Sequence, residues 1–263
     1  MKKLIAAAFS FFFVLSVFAQ GPITGFTPGK NHLDFAIGYS YEAFDEYFFG
    51  DQLQMASNIN RSINIFGEYG INDSLSIVVN LPYVWIDNVN RGLQDGSFFL
   101  KFRNQKKSTA LGELSIFTAV GATLPLSSYP TNTDNPIGVR ATTFQARLTG
   151  QLMTEWGLFF HIQSGIDVRV SPNNLTSVPV LFRLGQGGKK WYWEAWMEVF
   201  HTFNSGTDIQ LTGGTGSNWL RAGGTLYYGI TNNSGLLVGY TRVINGRNIG
   251  KSNRVNAGAV YKF

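Results

Sequence analysis

The side chains with which this chain of 263 residues could do chemistry are three histidines and a set of arginines, lysines and carboxylates; cysteine is absent. No two of His32, His161 and His201 have ligand spacing on one strand, so no metal site is expected and no cofactor is implied. His201, with Asn204 and Ser205 close behind it, offers types that a base and a nucleophile use. The compact spacing of such pairs is missing, and Asn204-Ser205-Gly206 reads equally well as a loop start, so an enzyme is not expected. Gly213-Gly214-Thr215-Gly216 is not a phosphate cradle, because no helix and no Lys-Ser/Thr follow it. Gly185-Gln186-Gly187-Gly188 reads as a turn, where glycine supplies positive φ.

The charged residues are more informative as a set. Lys101, Arg103, Arg147, His161, Asp167, Arg169, Arg183, Glu194, Glu198, Arg221 and Arg254 all fall on one phase of alternating stretches, together with Asn60, Ser62, Asn64, Glu68, Gln145 and Asn256. Facing a shared interior, groups of both signs either cross-pair into a plug or leave a polarised, selective passage. Arg147, Arg169 and Arg183 lie on three neighbouring segments and are expected to form a basic ladder with a weak anion preference. The formal charge of +5 falls to +3 without Lys2 and Lys3, and no Lys/Arg cluster forms a footprint, so nucleic acid is not an expected partner.

Strands must carry that phase. The apolar residues recur at every second position over about ten residues, not at the helical spacing of three or four. Leu158, Phe160, Ile162, Ile166 and Val168 alternate with His161, Gln163, Gly165, Asp167 and Arg169; near the start, Leu33, Phe35, Ile37, Tyr39 and Tyr41 do the same. Such segments begin near Asn31, Asn58, Leu75, Ser97, Glu113, Val139, Gly157, Ser177, Trp191, Asn218, Gly235 and Asn253, an even set of twelve. Asn72-Asp73-Ser74 and Thr231 to Ser234 are tight connections, whereas Ala43 to Ser57, Leu126 to Gly138 and Phe203 to Ser217 are long. An even strand count with alternating short and long links predicts an all-β, antiparallel, up-and-down transmembrane barrel of twelve strands.

Closure follows from the solvent, since an unpaired backbone group in lipid costs several kcal/mol and a barrel has no edge. Tyr39, Tyr41, Tyr83, Trp85, Trp191, Trp193, Tyr228 and Tyr261 sit near strand ends on the apolar phase, as two girdles at the headgroup level would. Met1-Lys2-Lys3, the apolar run Leu4 to Val17 and Val17-Phe18-Ala19 have the pattern of a signal peptide, residues 1–19, cleaved after Ala19 and leaving residues 20–263 as the barrel. The competing reading is a soluble β-sandwich or lipocalin-like barrel, which would bury the apolar face instead of turning it outward.

The last strand, Val255, Ala257, Ala259, Tyr261 and Phe263, resembles the C-terminal signature of outer-membrane barrels, which implies recognition by the barrel assembly machinery through Phe263. Asn80-Leu81-Pro82-Tyr83-Val84, Gly92-Leu93-Gln94-Asp95, Leu100-Lys101-Phe102-Arg103 and Gly121-Ala122-Thr123-Leu124-Pro125 resemble a family of outer-membrane channels named for the meta-pathway of phenol degradation (MetA-like). The likeness spans Leu75 to Arg169 and implies transport of aromatic or hydrophobic compounds. His201, Asn204 and Ser205 also resemble, loosely, the site residues of outer-membrane phospholipases.

The expected function is therefore passive passage of a small solute through the outer membrane of a Gram-negative cell, with lipid around the barrel. The alternatives are a filled structural or adhesive barrel and a lipid-modifying enzyme. Between Tyr41 and Asp51, Phe44, Tyr47, Phe48 and Phe49 are expected to form a mouth loop that narrows the entrance. The first strand starts too soon after Ala19 for a separate plug domain, which argues against energised import.

Overall fold

The structure, a computed structural model, describes residues 23–263 apart from 51, 87, 89, 134, 189 and 204–215. The expected leader and its cleavage point at Ala19 lie outside the described residues, as do Asn204, Ser205 and most of the Gly213 to Gly216 run. The strands are β1 (Leu33–Phe49), β2 (Gln52–Gly70), β3 (Leu75–Trp85), β4 (Arg91–Leu93), β5 (Asp95–Thr109), β6 (Gly112–Pro125), β7 (Thr142–Met153), β8 (Leu158–Ser171), β9 (Leu175–Gly187), β10 (Trp191–Thr202), β11 (Asn218–Gly229), β12 (Ser234–Arg247), β13 (Ile249–Gly250) and β14 (Asn253–Lys262). β4 and β13 are short additions at one rim. The other twelve form one antiparallel, closed barrel, in which β1 pairs with both β2 and β14.

Closure runs from Asp34 opposite Lys262 to Ala43 opposite Asn253. Beyond it, Leu33 and Phe263 exchange backbone hydrogen bonds of 3.4 and 2.9 Å, which seals the seam at the short-turn end. Side-chain alternation then assigns the two surfaces. Phe160 and Ile162 are 50% and 52% exposed, while His161 and Gln163 between and beside them are 3% and 6% exposed. The apolar phase faces outward, opposite to a soluble barrel, and the polar phase faces the lumen. Rings gather near both rims. Trp85 lies 5.9 Å from Tyr39 and 6.0 Å from Tyr83 near the long-loop end, and the pairs Trp191–Tyr228 (4.5 Å) and Tyr261–Phe263 (4.6 Å) lie at the short-turn end.

The first hairpin departs from expectation. Ala43 to Ser57 was expected as a loop, but β1 continues to Phe49 and β2 starts at Gln52, with a turn at Gly50 whose φ is 56°. Alternating hydropathy marks only the part of a strand with one apolar and one polar face; the backbone ladder continues beyond it. The expected mouth loop is thus strand, and three of its rings pack together: Tyr47 lies 5.9 Å from Phe44 and 4.6 Å from Phe49.

A second departure fills the bore. Residues 23–28 run inside the barrel before the chain turns into β1. Ile23 is buried against Phe66, Val78, Phe99 and Ala119, and Phe26 packs edge-on to Phe159 at 5.4 Å beside Ala36, Tyr192, Leu237 and Val260. Gly29 (φ 90°) and Asn31 (φ 61°) make the turn outward. Gly70 makes the close approach possible: a Cβ there would lie 1.8 Å from the Gly29 carbonyl oxygen. The expectation concerned a separate plug domain and did not foresee that a short irregular segment, residues 23–28, fills part of the bore.

Candidate functional site

The lumen is the site, and its lower half is organised around the inserted segment. Lys101 on β5 lies 2.6 Å from Glu68 on β2, with both side chains fully buried, and Ser76 on β3 donates to the same carboxylate at 2.7 Å. The Lys101 ammonium also donates to the carbonyls of Thr24 and Phe26. Arg183 donates to the Ile23 carbonyl (3.0 Å), Gln151 to that of Gly25 (2.9 Å), and Arg103 to the Thr27 hydroxyl (3.2 Å). Wall donors thus hold the segment mainly through its backbone oxygens, while Ile23 and Phe26 fix its depth. His161 lies beside this latch, its Nδ1 3.2 Å from the Gln151 amide oxygen. Below the segment, a cavity of about 190 Å³ is lined by Thr27, Arg103, Asp34 and Lys262.

Above the segment the lumen divides. One cavity, of about 170 Å³, lies against β1, β2, β3 and β14 and is lined by Ser40, Asn60, Ser62, Asn64, Gln94 and Asn256, with Pro82, Val84, Glu42 and Arg254. The other, of about 250 Å³, lies across the barrel against β6 to β11 and includes Gln145, Asp167, Arg169, Phe200 and Trp219. Phe200 and Trp219 stack there with centroids 4.0 Å apart and planes 2° from parallel.

Residues 126–133 and 135–141, in the link between β6 and β7, roof the first cavity. Tyr129 and Ile137 bury against Val84, Asn135 accepts a hydrogen bond from Asn58 at 2.7 Å, and Gln94 donates to the Ile137 carbonyl. Asp95 ties the link down, accepting from the Tyr129 hydroxyl and from the Ala141 amide (2.9 Å). Burial, with the Asp95 hydrogen bond adding to it, pushes the Tyr129 phenol well above its ordinary range.

The charged residues singled out from the sequence are lumenal, and most are committed to partners. Arg147 pairs with Asp167, Arg221 with Glu198, and Arg254 with Glu42. Glu194 accepts from the Tyr192 hydroxyl at 2.7 Å. Arg221 also lies over the Trp219 and Trp196 rings at 5.5 and 5.9 Å. Arg183, Arg147 and Arg169 do rise up one wall: the first two stand opposite His161 and Gly165 of β8, and Arg169 is four residues further along. Steps of four residues are about 13 Å. Each arginine meets different groups at its level, Arg169 donating to the Asn173 carbonyl at 3.3 Å, so the expected ladder of cooperating cations is not assembled.

His201 projects outward from β10 and is exposed, its ring edge-on to Phe203 at 5.0 Å; its two supposed companions lie outside the described residues. Among the described residues no group of three or more His, Asp or Glu could hold a metal ion. Sequence reasoning missed the inserted segment. Its signal was present in Pro22, Ile23, Phe26 and Pro28, an apolar stretch ahead of the first strand whose two prolines cannot donate to a ladder.

No protein-family model matches the chain, and no curated protein matches its sequence. Solved structures do match. An outer-membrane channel from Pseudomonas putida F1 superimposes with a TM-score of 0.68 at 10% identity, over 89% of this chain and 96% of that one. The chain has the fold of outer-membrane channel barrels. The barrel is also similar to the NanC porin (TM-score 0.59, 9% identity, 87% of this chain and 100% of that one). The KdgM porin gives 0.53 at 10% identity, over 87% and 99%, and a second KdgM structure is a complex with disordered oligogalacturonate.

Proposed function

We propose that the barrel is an outer-membrane channel through which a small solute passes passively, its short turns toward the periplasm and its long links outside. The observation that carries this reading is the manner of filling. Cavities lie below and above the inserted segment, and the segment is held chiefly through backbone carbonyls by lysine, arginine and glutamine side chains of the wall. Carbonyls accept from water as readily as from these donors, so release costs little specific bonding compared with dismantling a wall of cross-paired side chains. The lumenal residues then set selectivity on either side of a movable plug. In this reading residues 1–19 are the export leader, lipid surrounds the apolar face, and Phe263 presents the last strand to the assembly machinery.

Aromatic compounds, the solute class implied by the family resemblance, have one specific support: the Phe200–Trp219 stack faces the larger upper cavity. A permanently filled structural barrel has support too, in the burial of Ile23. Planar-bilayer recording separates the readings. The folded barrel is expected to give discrete openings, and a variant lacking residues 20–29 but retaining the leader is expected to conduct several-fold more. A folded barrel that never opens and whose deletion variant is also silent overturns the channel reading.

A further inference from the structure

The upper cavity against β1, β2, β3 and β14 is lined by an uncharged side chain with both of its polar atoms unpaired. Other buried lumenal groups lack a partner at a single atom, among them the Thr241 hydroxyl and the Trp196 and Trp219 indole nitrogens. Here Asn256 is 3% exposed, and neither its amide nitrogen nor its amide oxygen has a hydrogen-bond partner. Its position is prepared by Gly239 on the neighbouring strand, where a Cβ would stand 2.7 Å from the Asn256 oxygen. The wall thus gives up a side chain so that an unpaired amide can line the cavity. Buried polar groups left without partners are rare and costly in folded proteins, which makes this one a candidate for binding.

The chemistry of the lining selects the occupant. Asn256 presents two donors and an acceptor, and Asn60, Ser62 and Asn64 follow at alternate positions on β2, so donors and acceptors are interleaved. A hydroxyl also donates and accepts, so a solute carrying several hydroxyls satisfies such a surface from either direction. Charge is already spent. The ionised groups at this cavity are Glu42 and Arg254, which bind each other, and Glu42 also accepts from Ser252. An anionic solute would find no unpaired cation there. Pro82 and Val84 supply a small apolar patch for the carbon face of a ring. At about 170 Å³ the space is below the roughly 300–1,000 Å³ of sites for drug-sized ligands, so the occupant is correspondingly small.

We propose that this cavity, between the inserted segment and the roof that carries Tyr129 and Ile137, is a binding subsite for a small neutral polyhydroxylated solute of about the size of one sugar ring. The proposal deepens the channel reading and rests on it only in that the solute reaches the cavity through the mouth.

The test uses the full barrel, refolded in detergent and verified by its heat-dependent gel mobility. Calorimetric titration with D-glucose, D-galactose and sorbitol as neutral probes, D-glucuronate as the anionic one and phenol as the aromatic one is run beside bilayer recording of the same preparation. At least one neutral probe is expected to bind saturably in the millimolar range, with D-glucuronate and phenol at least tenfold weaker. Asn256→Leu is expected to weaken that binding at least tenfold; Asn60→Ala, a milder change away from Gly239, should weaken it several-fold if the leucine variant does not fold. Binding without channel openings supports the subsite and overturns the channel reading. Openings without saturable binding of any neutral probe overturn the subsite and leave the channel standing. Equal or tighter binding of glucuronate or phenol, or unchanged binding by folded Asn256→Leu, also overturns the subsite.

Discussion

Lys101 joins wall to plug. Its ammonium neutralises Glu68 at 2.6 Å and donates to two carbonyls of the inserted segment, all out of contact with water. Removing one member of such a pair strands the other charge, which costs about 3–5 kcal/mol, whereas replacing both by neutral groups is often nearly neutral. Lys101→Met is therefore expected to lower the denaturant midpoint of the folded barrel strongly, and Lys101→Met with Glu68→Gln to recover most of the loss. A double variant as unstable as the single one would show that contacts to the plug, not the ion pair, dominate. The sequence placed Lys101 and Glu68 on the lumenal phase, because parity along a strand needs only the alternation. It could not pair them, because pairing depends on the register among β2, β3 and β5. The same holds for Arg147 and Asp167, which read as a ladder rung and a separate acid until register brought them together.

At the scale of elements, the strands were legible wherever one face is apolar and the other polar. The starts of β3, β10, β11 and β14 at Leu75, Trp191, Asn218 and Asn253 coincide with those read from alternation. The upper parts of β1 and β2 were not legible, since a backbone ladder by itself imposes no hydropathy period. The inserted segment has no period either, and only its prolines and buried apolar residues betray it. Its path depends on Gly70, so Gly70→Val should drive the Gly29 carbonyl away and displace the segment. Single-channel conductance of that variant is expected to approach that of the deletion lacking residues 20–29; conductance like wild type would mean the segment has another way in.

The roof makes a separate prediction from Tyr129. Its raised pKa means that the folded state keeps the proton while a released phenol loses it near pH 10. The anchor's contribution is thus fully present below about pH 10 and is lost as pH rises through the higher folded value. Tryptic cleavage after Arg140 should stay constant from pH 7 to 9.5 in wild type and be faster in Tyr129→Phe, which loses the hydrogen bond to Asp95 and the one accepted from the Arg140 amide at 2.8 Å.

At the scale of the whole molecule, the outward apolar face and the closed ladder divide the sources of stability. In the channel reading lipid accepts the apolar face, so lumenal packing need supply less than a soluble core of this size, and irregular chain can occupy the bore. The seam between β1 and β14 is where closure is completed. It is carried by a ladder of ten opposed residue pairs from Asp34–Lys262 to Ala43–Asn253, with the Leu33–Phe263 exchange as a terminal addition. Loss of Phe263 therefore removes one pair of hydrogen bonds and the ring contact with Tyr261, and leaves the rest of the seam intact. Refolding of a variant lacking Phe263 into lipid vesicles from denaturant should give a barrel with nearly wild-type midpoint. Assembly in living cells should fall several-fold if the terminal ring serves recognition by the assembly machinery. Equal losses in vesicles and in cells would instead make Phe263 a structural seal, and no loss in either would remove both roles.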